Sequence, residues 1–376
     1  MVLGTYLLSA PRSSNALKRA SRTETRYSYQ APIGLKELAK IDPLFSRLAE
    51  TRAFLRLKDI RFLGGIDFLL VPNPNGAEAN QRYTRYQHSL GVAGLALLYC
   101  QIRDVPDAQR KLAYAAALLH DVGHGPLSHS LEPVFEEVFE INHHQATEEI
   151  ILGRNPLGKE LCAALMQSGV DPQAVVSVLE GQHDPFEGFF SGPINFDTIE
   201  GILRSRRYAT RATIPISPVR VVQAATLRQS LNDREVVDSF WAYKDEVYKH
   251  VIRAPAGVLA DFVCQETMRK NLGKLGRDDF FGTETTLFRK VPELRTLLAD
   301  KRKLEAAGAC ATIKYKVREF TVQQSGDFFT RADKTRYVQR KWDSSLTLPP
   351  GQELLQPQGG MLFDDLSGVQ SSEGVF

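Results

Sequence analysis

The 376-residue chain has only four cysteines, two tryptophans and a net charge of +3, and it contains no long apolar run. Cys100, Cys162, Cys264 and Cys310 stand far apart and form no C-x-x-C pair. That excludes a disulfide scaffold or a thiolate zinc finger, and three of the four lie in helix-like apolar stretches, where a buried thiol is expected. The near-neutral charge gives no sign of a nucleic-acid or membrane surface; the short basic stretch "LKRASRTETR" reads as an exposed arm. No segment approaches the roughly 20 apolar residues that cross a bilayer. The N-terminal apolar patch precedes its basic residues, the reverse of a secretory signal, so a cytoplasmic protein without membrane association is expected. Internal repeats are lacking, and strand signals are few.

What fills the chain is helical periodicity. "DPLFSRLAETRAFLRLKDIRFL", "HSLGVAGLALLYCQIRD", "RKLAYAAALLHD", "HHQATEEIILG", "FDTIEGILRSRRY", "DSFWAYKDEVYKHVI" and "AGVLADFVCQETMRKN" space their apolar residues by three and four. Residues 64–86 suggest a hairpin with a turn-rich tip, residues 311–322 alternate, and 335–342 can pair with them. The expected fold is mainly α, a helical bundle with small β-hairpin additions. Length suits about two domains. The two ends, rich in Ser and Arg before residue 31 and in Pro, Gly, Gln and Ser after 345, read as a flexible N-terminal arm (1–30) and a disordered tail (346–376).

The chemistry concentrates in "LAYAAALLHDVGHGPLSHSLEPVF" (112–135). An apolar helix ends in His120 and Asp121, which diverge by about 100° around a helix but converge on an ion held beyond its end. Imidazole nitrogen with carboxylate oxygen suits a divalent ion such as Mn, Fe or Zn. His88, opening a helix of small residues, and Asp197, at a helix start, complete a set of two imidazoles and two carboxylates. His124 and His129 follow after "GHGP" breaks the helix, and His143 and His144 open the next one. Six of the eight histidines fall between positions 88 and 144, more than packing alone explains. The second His-Asp pair, His183-Asp184, is followed by proline among loop residues and reads as surface.

"RYQHSLGV", "LLHDVGHGPLSHSLE", "HHQATEEII" and "INFDTIEGILR", in that order, resemble the HD-domain phosphohydrolases, and most of all their deoxynucleoside triphosphate triphosphohydrolase branch. The likeness covers about residues 40 to 270. It implies an HD core over 31–255 and a helical extension with short strands over 256–345. It also implies that His88, His120, Asp121 and Asp197 bind one divalent metal ion, of the class Mn, Fe, Mg or Zn. His124 and His129 fall on catalytic histidines, Glu132 on an acid that orients one of them, and His143 on a later catalytic histidine. Arg85 falls on a phosphate contact, and His144 stands where relatives carry glutamate. The chain departs from the pattern at Thr198, Glu200 and Gly201, and the missing basic residue and tyrosine are ones that touch phosphates in relatives. Phe62 replaces a sugar-reading glutamine, and Ile252 replaces a tyrosine that packs on deoxyribose.

The resemblance thus implies a metal-dependent enzyme that hydrolyses a nucleotide phosphoester, with the triphosphohydrolase reaction first. A phosphodiesterase, nuclease or nucleotidase, or a nucleotide-sensing protein with little turnover, stands as the alternative. Arg204, with Arg206 and Arg207, is the candidate replacement phosphate contact. A nucleotide is the expected partner, nucleic acid is left open though charge does not indicate it, and a homo-oligomer is expected from similar proteins.

Overall fold

The computed structural model describes residues 34–70, 83–183, 185–209, 216–330 and 335–347. The N-terminal arm, the tip at 71–82, Asp184, the side chains of 206–209 and the segment after Thr347 lie outside the described residues. The described chain is mainly helical with a single two-stranded sheet.

The central element is the helix Arg85–Arg103, α1. Its start is written in "TRYQ": the Thr84 hydroxyl accepts from Gln87 N–H, and the Gln87 side chain returns to Thr84 N–H at 3.0 Å, a reciprocal cap. From His88 to Cys100 every residue is buried, and a helix apolar on all sides belongs in the middle of a bundle. Gly91, Ala93, Gly94 and Ala96 let neighbouring helices approach closely. Those neighbours include Asp107–Leu119, α2, and Phe196–Ala209, α5. Between them in sequence come Glu132–Phe139, α3, and His143–Ile151, α4, the latter capped by Asn142 and Gln145 in the same reciprocal way. Leu231–Val247, α6, and Pro255–Lys270, α7, follow.

The hairpin expected at 64–86 does not form over its described part. Gly64–Ile66 is a 3-10 turn and Asp67–Leu70 a short helix, because Asp67 Oδ2 accepts Leu63 N–H at 2.8 Å and closes a turn there. A single bridge, Arg61 to Thr84, joins the two sides. The later pair is present: β1, Thr312–Val322, runs antiparallel to β2, Tyr337–Thr347. It is anchored on α6 by Trp241, whose Nε1–H donates to Thr321 O at 3.1 Å. The strand takes in residues 346 and 347, the first two of the expected tail.

Two apolar cores form. One gathers the residues of α1, α2, α5 and α6 with the helices Lys159–Gln167 and Pro172–Leu179. The other joins Leu127, Leu131, Val134, Phe135 and Ala146 to α7, the helices of residues 284–308 and Ile313. Residues on both sides of position 255 therefore share the second core. Cys100 and Cys264 are buried, Cys162 is partly covered, Cys310 is exposed, and all four are free thiols.

Candidate metal centre

Each of the first four site residues sits at or near a helix end. His88 lies one turn into α1, His120 and Asp121 just past the end of α2, and Asp197 in the first turn of α5. Their polar atoms converge. His88 Nε2 lies 3.1 Å from His120 Nε2, 3.0 Å from Asp197 Oδ1 and 3.4 Å from Asp121 Oδ2. His120 Nε2 is 3.4 Å from Asp121 Oδ2 and 3.7 Å from Asp197 Oδ1.

The far side of each imidazole fixes which nitrogen faces inward. His120 Nδ1 is 2.9 Å from the Ala117 carbonyl, which can only accept, so Nδ1 carries the hydrogen. His88 Nδ1 is 2.6 Å from Glu200 Oε2. Burial opposes ionisation of Glu200, but Arg204 and His88 hold it down to about 2, so His88 Nδ1 is also the donor. Both Nε2 lone pairs then face each other across 3.1 Å, with two carboxylates alongside. Four electron-rich groups meeting at one point demand a cation. The same demand raises His120: burial disfavours its charge, yet Asp121 and Asp197 push its pKa up to about 10. His88, His120 and Asp121 form one compact donor group, and Asp197 Oδ1 stands 3.0 and 3.7 Å from the two imidazoles, so the donor set fits a divalent metal.

Beside this group lies a second one. The chain between His124 and His129 turns back through Leu127 and Ser128, both with positive φ and both buried. Non-glycine residues in that region are strained and persist where their surroundings over-determine them. The turn stacks His124 on His143, with ring centroids 4.3 Å apart and an interplanar angle of 8°, and sets His129 edge-on to both. Glu132 takes His129 Nδ1 at 2.8 Å and accepts from His143 Nδ1 and, at 2.9 Å, from His143 N–H. Burial opposes its charge, but His129 and His143 hold the Glu132 carboxyl below its usual range. The His129 ring is 61% exposed and faces solvent. His124 is buried, and burial with Arg85 nearby keeps it neutral, well below the ordinary histidine value. His144, exposed, lies 3.9 Å from His143 between ring centroids.

Gly123, inside the motif, has a steric role. A Cβ there would run into the backbone of His143 and Thr147, and Gly123 N–H donates to Thr147 Oγ1 at 3.0 Å. Gly123→Ala is expected to push α4 off the loop at a loss of about 1–3 kcal/mol, the usual range for overpacking. Thermal unfolding of the variant beside wild type checks this.

The arginines turn inward. Arg85, 4% exposed, donates from Nη1 to Asp121 Oδ2 at 2.6 Å and from Nε to Ser128 Oγ at 3.0 Å. Arg204 is bound to Glu200 and donates to the Gln87 carbonyl at 3.2 Å. Glu200 is a supporting residue that motif comparison registers only as a departure from the family's pattern. Its signal is periodic: Asp197, Glu200, Gly201 and Arg204 share one helix face at spacings of three and four. Phe62 packs on His88 with centroids 4.7 Å apart, and a Cβ at Gly201 would touch Phe62 at 3.4 Å. The phenylalanine thus fills the space that a side chain at 201 would take. A cleft of about 830 Å³, counted to its open mouth, reaches the centre between α4 and the Phe189–Phe196 segment. Its lining includes His120, Asp121, His143, His144 and Asp197 together with Val176, Leu179, Phe189 and Phe190.

Helical architecture and a histidine–aspartate centre define an HD-domain protein, and the HD domain family model matches residues 85–225. Over those residues the chain carries an HD domain and resembles the HD-domain phosphohydrolases, most of all their deoxynucleoside triphosphate triphosphohydrolase branch. It is 34% identical over 124 residues to chicken (Gallus gallus) deoxynucleoside triphosphate triphosphohydrolase SAMHD1, covering 30% of this chain and 19% of that one. It is 40% identical over 127 residues to the uncharacterized protein YwfO of Bacillus subtilis, covering 32% and 26%. Over 239 residues it is 24% identical to the uncharacterized protein MJ1154 of Methanocaldococcus jannaschii, covering 60% and 47%. The chain therefore spans less than half the length of each of these relatives. Among the described residues no helix is long and apolar enough to cross a membrane.

Proposed function

We propose that the chain is a metal-dependent phosphohydrolase that cleaves a phosphoester bond of a nucleotide, with a (deoxy)nucleoside triphosphate triphosphohydrolase reaction first. The observation that carries this reading is the convergence of His88, His120, Asp121 and Asp197, whose imidazole–imidazole and imidazole–carboxylate distances run from 3.0 to 3.7 Å, next to a carboxylate-steered histidine. The resemblance to the SAMHD1 branch supports it. When bound, a divalent cation supplies charge neutralisation at the phosphoryl oxygens and an acidified water.

The chain's own residues supply the rest. Glu200 and the Ala117 carbonyl fix the tautomers that turn His88 and His120 toward the ion. Arg85 brings a fixed positive charge to the edge of the centre through Asp121. His129 stands at the solvent-facing side with Nδ1 held by Glu132, which leaves Nε2 to carry a proton to the leaving oxygen. His124 and His143 wall the same space. Phe189, Phe190 and Leu179 offer an apolar face to a base or other flat leaving group.

A second reading, a phosphodiesterase, nuclease or nucleotidase, is favoured by two observations. Phe62, where relatives read the sugar, packs against His88, and Arg204 is committed to Glu200. The two readings separate on products. Purified protein with Mn²⁺ is given dNTPs, NTPs, nucleoside monophosphates and single-stranded DNA, with His120→Ala and Asp121→Ala as controls. Nucleoside plus triphosphate, lost in both controls, is the expected result. Orthophosphate or mononucleotides from the other substrates would transfer the assignment to the second reading.

His129→Ala is expected to lower kcat by about 10²–10⁴-fold, the usual contribution of a positioned acid. The loss belongs to a nucleoside leaving group. It should nearly vanish with bis-p-nitrophenyl phosphate, whose leaving group departs without a proton, and an equal loss on both substrates would refute the acid role.

A further inference from the structure

The His129 ring reaches into solvent, yet the residues on either side of it are buried serines whose hydroxyls are each engaged twice. Ser128 Oγ donates to Arg61 O at 2.7 Å and accepts from Arg85 Nε at 3.0 Å. Ser130 Oγ accepts Gly65 N–H at 2.9 Å and donates to Asp261 Oδ1 at 2.6 Å. A buried hydroxyl is stable only with its partners in place, so these four bonds fix where the turn can sit. The turn needs such fixing. Leu127 and Ser128 have φ of 57° and 47°, a backbone region that relaxes unless its surroundings hold it.

The two anchors lead to different places. That of Ser128 returns to the metal centre, because Arg85 also binds Asp121. That of Ser130 runs to the Gly64–Ile66 turn and to Asp261 on α7. The seat there is tight. A Cβ at Gly64 would stand 2.1 Å from Leu127 O, and one at Gly65 would meet Cys264 Sγ at 3.0 Å and Ser130 Oγ at 3.3 Å. The Gly64–Ile66 turn is thus seated between the histidine-bearing turn and α7. Ser130 has a single side-chain torsion, so its bond to Asp261 passes directly into the backbone beside His129.

We propose that Asp261 is a positioning residue for His129, acting through Ser130 to hold the strained turn that aims the ring, a role that rests on His129 being the acid. Glu132 sets which ring nitrogen is free, and Asp261 sets where that nitrogen points.

The test uses full-length protein with Mn²⁺. Asp261→Ala and Ser130→Ala are each expected to lose about 10²-fold in kcat on the nucleotide that wild type turns over, the size of a ~1 Å misplacement, with KM little changed. Bis-p-nitrophenyl phosphate should show little loss, and bound Mn should match wild type, which shows that the fold and the metal centre survive. Asp261→Asn keeps an oxygen that accepts the Ser130 hydroxyl and should recover most of the rate. Added to His129→Ala, Asp261→Ala should cost nothing further, because it acts only through the missing ring. Equal losses on both substrates, or a full additional loss in the double variant, would overturn the proposal. Hydrogen exchange reads the turn without substrate. The Ser128 and Ser130 amides, each bonded at 3.0 Å to Gly125 O and Leu127 O respectively, should exchange faster in Asp261→Ala and return in Asp261→Asn. Unchanged exchange would refute the anchor itself. A wild type inactive on every nucleotide would strike the reaction instead, a failure visible before any variant is made.

Discussion

Asp121→Ala is expected to eliminate turnover and metal binding together, with a larger effect than loss of any other single residue. The reason is its position. One oxygen serves His88 and His120, the other faces His124, and the same carboxylate holds Arg85 at 2.6 Å. Burial disfavours ionisation of Asp121, but His120 and Arg85 hold it well below the ordinary carboxylate range, so it is a full negative charge at working pH. Its removal leaves the buried Arg85 guanidinium without its carboxylate partner beside the space where a cation belongs, and takes away one of the two carboxylates that favour the charged form of His120. A catalytic metal supplies several kcal/mol of transition-state stabilisation, and each ~1.4 kcal/mol is tenfold in rate, so kcat/KM should fall on the order of 10³-fold or more. Asp121→Asn keeps the volume and should show nearly the same loss, since a neutral amide cannot replace the charge. Elemental analysis and steady-state kinetics on both variants check this. Retention of metal with only a modest loss of rate would place the centre elsewhere.

Glu200→Ala carries the second large expectation, and it reaches stability as well as metal. The carboxylate is fully buried between His88 and Arg204. Without it Arg204, 4% exposed, keeps its charge in the interior facing the Gln87 carbonyl and the Tyr83 ring, with the Glu200 carboxylate gone. Breaking a buried pair in this way costs about 3–5 kcal/mol. His88 loses the acceptor that fixes its tautomer, and outer-sphere losses of this kind weaken metal affinity by about 10–100-fold. Glu200→Gln retains an acceptor for His88 and should recover much of both. Thermal melts with and without Mn²⁺ separate the two effects, because the affinity loss appears as a smaller metal-induced shift. Unchanged melting in Glu200→Ala would mean that the carboxylate has no structural role.

The mainly helical class was legible because α1 and α2 repeat their apolar residues at helical spacing and because "TRYQ" and "NHHQ" announce helix starts. The four converging donors were legible from motif order, since each stands at a helix end where a one-residue error is small. The Glu200–Arg204 support was not. In sequence it looks like a departure from the family's pattern, and its meaning depends on α5 lying against α1. A glycine at 91 belongs to the same contact, since a Cβ there would enter the Glu200 carboxylate. The apparent hairpin after Gly64 failed for a local reason: Asp67 caps a turn, a choice that alternation of residue types does not record. Arg204 resembled a phosphate contact by charge alone. Its pairing four residues back with Glu200 is an ordinary helix-face contact that the sequence also permits, and burial decided between them.

The two halves of the site stand on different floors. His88 and His120 rise from the core of α1, α2 and α5, whereas the Leu127–Ala146 stretch, with His129, Glu132 and His143, rests on α7 and the helices behind it. Asp121 spans the seam. Loosening of the C-terminal helices would therefore be felt first in the geometry of proton delivery, with the His88–His120 pair undisturbed. With His129 as the proposed acid, the C-terminal segment would act, in kinetic language, as a governor on turnover number more than on substrate affinity.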